Sequence, residues 1–465
     1  MYLKALLCVP LILAGCTQYD GALSTPKSFD EFAYDARDAI PNDVPLPDPR
    51  SGQRPVVGVK KFLVSVIHWQ DGDALNDSLI QHHTVSSDPD SLRSYILAAS
   101  GGKLTLDGRM ISYKSGPRPD MCKSGSPMPI SLATSEGEKA ARASGLDPAS
   151  FDYLINVIDC GGYASAYMPG RIMGVYGQAG SPHVYKHELG HNLGYNHGYT
   201  YTQCSKEGNV VHAPAGCKTV LYGDSGDSVS GGGTLYPANN RWYSGWLDTS
   251  QAAVIGRTGL YRLGVLGRAG PQLYLIDRPG LAPAQIALEY RKPTPYDKFP
   301  VSDNRVNGVW VRYTNMAGSL LNTQVDGTPE TASTADPTLL PGKILKDETA
   351  GITVKVCSTS SDGATIAVSV KNEAMPGCVP PPPYIGNPGN AYNPISFSGM
   401  GSPGAEIFLS CKYQGHETKL NTRVETTGEW RVAAPYLQLG YYTCEARQRV
   451  VNITSEARVI TFNVR

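Results

Sequence analysis

The chain has no surplus of charge: 41 Lys and Arg balance 41 Asp and Glu, and no basic block stands out. That balance offers nucleic acid no electrostatic foothold, so no nucleic-acid partner is expected. Beyond the first residues no apolar run approaches the eighteen needed for a spanning helix. Helix signals fade after Leu247, where alternating runs such as Gly259-Leu260-Tyr261-Arg262-Leu263 and Thr365-Ile366-Ala367-Val368-Ser369-Val370 predict strands. Histidine is scarce as well, with nine in 465 residues. Gly 50, Pro 35 and Tyr 27 point instead to turns and strands, and the length accommodates two or three domains.

Against that scarcity, three histidines fall within eleven residues: His187-Glu188-Leu189-Gly190-His191-Asn192-Leu193-Gly194-Tyr195-Asn196-His197. The pattern is H-E-x-x-H-x-x-G-x-x-H, whose accidental occurrence has a probability on the order of one in 100,000. Ser181 suits an N-cap, Pro182 the first helical position and Gly194 a left-handed stop, predicting a helix from about Pro182 to Leu193. On it His187 and His191 share a face one turn apart, while Leu189 and Leu193 point away and anchor the helix to a core. Gly194 turns the chain back, so that His197 becomes a third ligand. Three neutral imidazoles leave one position open on a single Zn2+, the arrangement of a catalytic rather than a structural site. Glu188 is placed as the general base that takes a proton from a water on that ion and passes it to a leaving amine. The chemistry predicted is metal-assisted amide hydrolysis. His183, one turn earlier, is read as an exposed or supporting histidine.

The long motif is that of the metzincin zinc endopeptidases. Its surroundings are similar to the gametolysin-type peptidase family: Gly161-Gly162-Tyr163, Gly174-Val175-Tyr176, Tyr222-Gly223-Asp224 and Gly245-Trp246-Leu247, with Gly101-Gly102-Lys103-Leu104-Thr105-Leu106 upstream. Leu288-Glu289-Tyr290-Arg291 and Gly308-Val309-Trp310-Val311-Arg312 continue the likeness, which covers roughly residues 58 to 370. It implies zinc-dependent endopeptidase activity on a protein or peptide substrate, with His187, His191 and His197 as ligands and Glu188 as catalyst. One feature departs from the pattern. Metzincins carry a methionine turn below the zinc, and here residues 222–231 contain no methionine, so Val229 is expected to fill that floor. Related enzymes place a tyrosine nearby to stabilise the oxyanion; Tyr222, Tyr236 and Tyr243 are in range and nothing in the sequence chooses among them. Asp224 and Asp227 are expected to support their turn rather than hold a cation. The resemblance also implies that the segment Ser165 to Tyr176 holds the sheet's edge strand, against which an extended peptide pairs.

Lys4, the apolar run Ala5 to Ala14 and Leu13-Ala14-Gly15-Cys16 resemble a bacterial lipoprotein signal. That implies lipidation at Cys16, a membrane anchor and, with Thr17 following, an outer-membrane lipoprotein facing the periplasm or the cell surface. Ten cysteines include Cys8 and Cys16, leaving eight beyond the signal. An even number on an exported chain favours disulfides, and their close succession suggests Cys122 with Cys160, Cys204 with Cys217, Cys357 with Cys378 and Cys411 with Cys444.

The organisation expected is a signal peptide (1–16), a flexible tether (17–57), an α+β metzincin-like catalytic domain with a mixed sheet and active-site helix (58–250), and a β-rich domain (251–372). A Pro-rich linker (373–390) around Pro380-Pro381-Pro382-Pro383 leads to a sandwich (391–465). Gly404-Ala405-Glu406-Ile407 and Gly428-Glu429-Trp430 in that last segment resemble bacterial immunoglobulin-like domains. A membrane-anchored zinc endopeptidase is the function expected. The alternative is a surface adhesin on a catalytically inactive metzincin scaffold.

Overall fold

A computed structural model describes residues 39–41, 43–44, 52–124, 129–331, 333–451 and 453–465. The signal, Cys16 and most of the expected tether lie outside these residues. The chain is a mixed α/β protein, mostly sheet, with few helices and several separate sheets.

The first sheet runs β1 (Ala39–Pro41), β5 (Ala164–Met168), β6 (Ile172–Val175), β4 (Tyr153–Ile158), β2 (Gly58–His68) and β3 (Leu104–Lys114) across its width. All pairings are parallel except β5 with β6. Strands β2 and β4 read as nearly unbroken apolar runs because both faces of a largely parallel sheet are covered. One face receives α4 (Ile130–Ala143), whose Ala133, Ala140 and Ala141 pack on Leu63, Ile67, Leu154 and Ile158. The other receives α1 (Asp77–Thr84), α2 (Leu92–Ala99) and α5 (Pro182–Asn192), which bury Ile80, Tyr95, Ile96, Tyr185 and Leu189 against Val64, Val66, Ile155 and Val157. A short turn of helix, α3 (Asp120–Lys123), carries Cys122.

The second sheet crosses position 250, where the sequence suggests a boundary. Its seven strands run Lys218–Val220, β7 (Tyr195–Thr202), Leu320–Val325, Val309–Asn315, Gln285–Tyr290, Leu273–Asp277 and Ala252–Val254. Strand β7, which carries His197, is thus sandwiched between a close neighbour and a strand more than a hundred residues downstream, to which it pairs in parallel. A third sheet built mainly from residues 259–264, 344–347, 352–360 and 363–369 closes a separate core around Tyr274, Ile286, Val311 and Ile366. The C-terminal strands form a three-stranded and a six-stranded sheet around Phe397, Trp430, Tyr442 and Phe462.

Two connecting segments depart from expectation. Ala39–Pro41, inside the expected tether, adds a strand to β5, and Arg54 and Val56 bond through their backbone N–H to the carbonyls of Tyr243 and Ser244. These backbone groups are satisfied by the body instead of by water. The Pro-rich segment 373–390 is likewise tied down: Gln448 Nε2 donates to Pro381 O at 2.6 Å, and Tyr384–Ile385 pairs with Ser396–Met400. The eight cysteines are joined as Cys122–Cys160, Cys204–Cys217, Cys357–Cys378 and Cys411–Cys444. Among the described residues no helix is long and apolar enough to cross a membrane.

Candidate metal centre

Helix α5 begins after Ser181, with Pro182 in its first turn; the Ser181 side chain makes no capping bond. Leu189 and Leu193 are buried in the core between the helix and the first sheet, which turns the opposite face toward β7 and the loop 222–231. Gly194 follows at φ +97°, the left-handed region, and an added Cβ there would stand 3.0 Å from Tyr243 Oη. The reversal delivers His197 on β7.

His187, His191 and His197 are buried, and one nitrogen of each lies within 4.8 Å of the others. The Nε2 atoms of His187 and His191 are 3.2 Å apart, and those of His191 and His197 are 3.1 Å apart. His187 Nδ1–H donates to Ser228 O at 3.1 Å and His191 Nδ1–H to Tyr195 O at 2.7 Å. A carbonyl only accepts, so each bond fixes the tautomer that leaves an Nε2 lone pair facing the cluster. Four tetrahedral ligands at Zn–N distances of 2.0–2.1 Å stand about 3.4 Å apart, so the observed spacings fit one ion with a small outward adjustment. Burial holds the imidazoles neutral: His191 is lowered to about 4, and His187 and His197 well below the usual histidine range, with neighbouring histidines adding to the effect. Three buried, neutral, convergent nitrogens can bind a metal ion.

Glu188 is buried at 2 % exposure in the same turn as His187. Of the three tyrosines that the sequence leaves open, the structure brings only Tyr222 to the imidazoles, its Oη 3.0 Å from His197 Nε2. Tyr236 donates to Lys186 O and Tyr243 to Gly318 O. His183 stays outside the three-nitrogen group; its ring packs 5.8 Å from that of His187.

The floor is the loop 222–231. Val229 is fully buried beneath the helix, close enough that a Cβ on Gly190 would stand 2.3 Å from Val229 Cγ2. Asp224 Oδ1 accepts from Gly226 N at 2.8 Å and Asp227 Oδ1 from Val229 N at 2.9 Å, so both carboxylates support the turn. Signals passed over in the sequence were Glu289, Arg291 and Arg312, charges set inside or directly after otherwise apolar strands. The structure buries all three behind this loop.

The expected edge segment divides in two. Strand β6 is interior, between β5 and β4, while β5 lies outside it and is covered by β1 from Ala166 to Met168. Proline between Ile172 and Val175 would therefore break the sheet itself rather than probe a peptide-binding edge. Helix α5 touches β5 directly: Asn192 Nδ2 donates to Tyr167 O at 2.9 Å.

No family model and no curated protein matches the chain. Among solved structures, it is similar to catalytically inactive OgpA from Akkermansia muciniphila in complex with an O-glycopeptide substrate, at 11% identity over 90% of this chain and 98% of that one, with a TM-score of 0.23. Wild-type OgpA gives 12% identity, the same coverage and a TM-score of 0.22. Domains d3–d4 of the rat CD45 extracellular region match at 12% identity over 21% of this chain and 55% of that one, with a TM-score of 0.14. At these TM-scores the likenesses carry no argument, and the site is read from its own geometry.

Proposed function

We propose that the chain is a zinc-dependent endopeptidase of metzincin type, anchored in a bacterial outer membrane through lipidated Cys16 and acting on extracellular or cell-envelope proteins. The observation that carries this reading is the convergence of three buried imidazoles, two of them tautomer-fixed by carbonyls, beside a buried glutamate. His187, His191 and His197 would hold the ion through Nε2. When bound, zinc supplies Lewis acidity toward the scissile carbonyl and lowers the pKa of a water toward about 7. Glu188 takes the proton from the attacking water and returns it to the departing amine. The Tyr222 hydroxyl, beside the imidazole nitrogens, donates to the oxygen on which negative charge develops. Burial of the site strengthens that donation by excluding water.

In this reading the C-terminal strands form an immunoglobulin-like spacer module beyond the catalytic part. The test is digestion of a broad peptide library by zinc-loaded wild type and a Glu188→Ala variant. Cleavage by wild type alone is the expected result. A wild type that binds one zinc and cleaves nothing the variant spares would favour a binding protein on an inactive scaffold.

A further inference from the structure

The loop below the metal site holds both ends of the ligand set. At its start Tyr222 meets His197, and at its centre Ser228 O receives the proton of His187 Nδ1. Just beyond Ser228 it is laced to the residue after His197: Gly198 N donates to Val229 O at 3.2 Å and Ser230 Oγ to Gly198 O at 2.8 Å. A shift of this loop would therefore displace His187 and His197 together. The loop closes on itself through Gly231 N to Tyr222 O at 3.2 Å and Ser230 N to Asp227 O at 3.1 Å. Tyr222 is at φ +56°, a left-handed backbone that a residue with a Cβ adopts only under constraint.

A second constraint comes from outside the loop and ties it to the sheet. Arg312 grips Asp224 with two donors, Nε to Oδ2 at 2.6 Å and Nη2 to Oδ1 at 3.0 Å. Its Nη1 donates to Glu289, which also accepts from Arg291 Nε at 2.9 Å and from Ala238 N at 2.6 Å. Arg312, Asp224 and Glu289 are each at most 2 % exposed. A forked guanidinium between two carboxylates fixes direction as well as distance, and no water competes for either bond. Asn322 extends the frame, donating to Asn240 Oδ1 at 2.7 Å. Arg312, Glu289 and Asn322 all sit on strands of the sheet into which His197 is built.

We infer that Arg312, through its bidentate bond to Asp224, is a positioning residue of the metal centre, an ion-paired brace from the downstream strands behind the Val229 floor. This rests on the zinc-peptidase reading and deepens it. The brace acts by holding the loop, and with it the orientation of His187 and His197, before the ion arrives. The metal centre therefore extends to residue 312, well beyond the boundary near 250.

The test compares three full-length variants by zinc affinity against a chromophoric chelator, by the visible spectrum of the cobalt-loaded protein and by melting temperature. Asp224→Asn keeps an acceptor for Gly226 N and loses the charge; Arg312→Lys keeps a charge and loses the fork. Each should weaken zinc binding about 10- to 100-fold and shift the cobalt bands, the usual effect of removing a ligand's support. Asp347→Asn is the control: its carboxylate pairs with Arg278 at 2.7 Å in an equally buried bridge away from the loop. It should lower the melting temperature with zinc affinity unchanged. Wild-type affinity and spectrum in a folded Asp224→Asn or Arg312→Lys protein would overturn the inference while leaving the peptidase reading intact. So would an equal loss of affinity in Asp347→Asn. A wild type that binds no zinc would overturn both.

Discussion

Gly190→Ala asks whether Val229 truly serves as the floor under the metal-binding helix. The added methyl would stand 2.3 Å from Val229 Cγ2, with Tyr236 Cε1 at 3.4 Å and Tyr195 Cδ2 at 3.5 Å restricting escape on the other sides. Overpacking of this kind costs about 2 kcal/mol. Replacing a mid-helix glycine by alanine returns about 1 kcal/mol, so a net loss of about 1 kcal/mol is expected. Val229→Ala alone should cost about 2 to 3 kcal/mol, from two buried methyl groups and the void they leave. In the double variant the new methyl occupies part of that void, so the two losses should fall short of additivity by about 1 kcal/mol or more. Urea melts of the zinc-free proteins, read by intrinsic fluorescence and compared by midpoint, measure all four corners of this cycle. A Gly190→Ala protein as stable as wild type, or strictly additive losses, would refute the packing argument. The helix would then have no need of Val229.

Three further outcomes are expected. Tyr222→Phe should keep one zinc per chain and lower kcat by about 10²- to 10³-fold with KM little changed, as for loss of one oxyanion donor; steady-state kinetics on a cleaved peptide decide it, and an unchanged kcat removes Tyr222 from the reaction. Chelation should lower the melting temperature, since an ion at 100 times its Kd stabilises the native state by about 2.7 kcal/mol; scanning calorimetry with and without zinc would contradict the site if the curves coincide. His68 bridges Asp73 (3.0 Å) and Asp77 (2.7 Å); burial opposes its charge, but the two carboxylates prevail and raise its pKa above the usual histidine value. Its stabilisation is therefore complete below about pH 6.5 and lost as pH rises through the raised value. Melting curves of wild type and Asp77→Asn should converge with rising pH, and a constant difference would exclude this linkage.

The metal cluster was legible because its determinants are local. A four-residue spacing on a helix and one glycine stop bring His187, His191 and His197 together without reference to the rest of the chain. What escaped depends on pairing between distant segments. No local pattern in Tyr195–Thr202 announces that it will lie beside Leu320–Val325, in a sheet that runs past position 250. Nor does Tyr222 differ from Tyr236 or Tyr243 until the loop is folded. Glu289, Arg291 and Arg312 carried a usable signal, since a charge inside an apolar strand must find a buried partner. Their partners, however, come from three different segments. The stretch 39–41 is too short to announce a strand by itself and becomes one by pairing with β5.

The most direct measurement is zinc K-edge X-ray absorption on the full-length, zinc-loaded protein at one ion per chain. Three imidazole nitrogens at 2.0–2.1 Å with a single further light-atom ligand are expected, leaving the exchangeable position that hydrolysis requires. Sulfur in the first coordination sphere, or a nitrogen count that does not fall in a His197→Ala variant, would contradict the assignment of His187, His191 and His197 as the catalytic metal ligands.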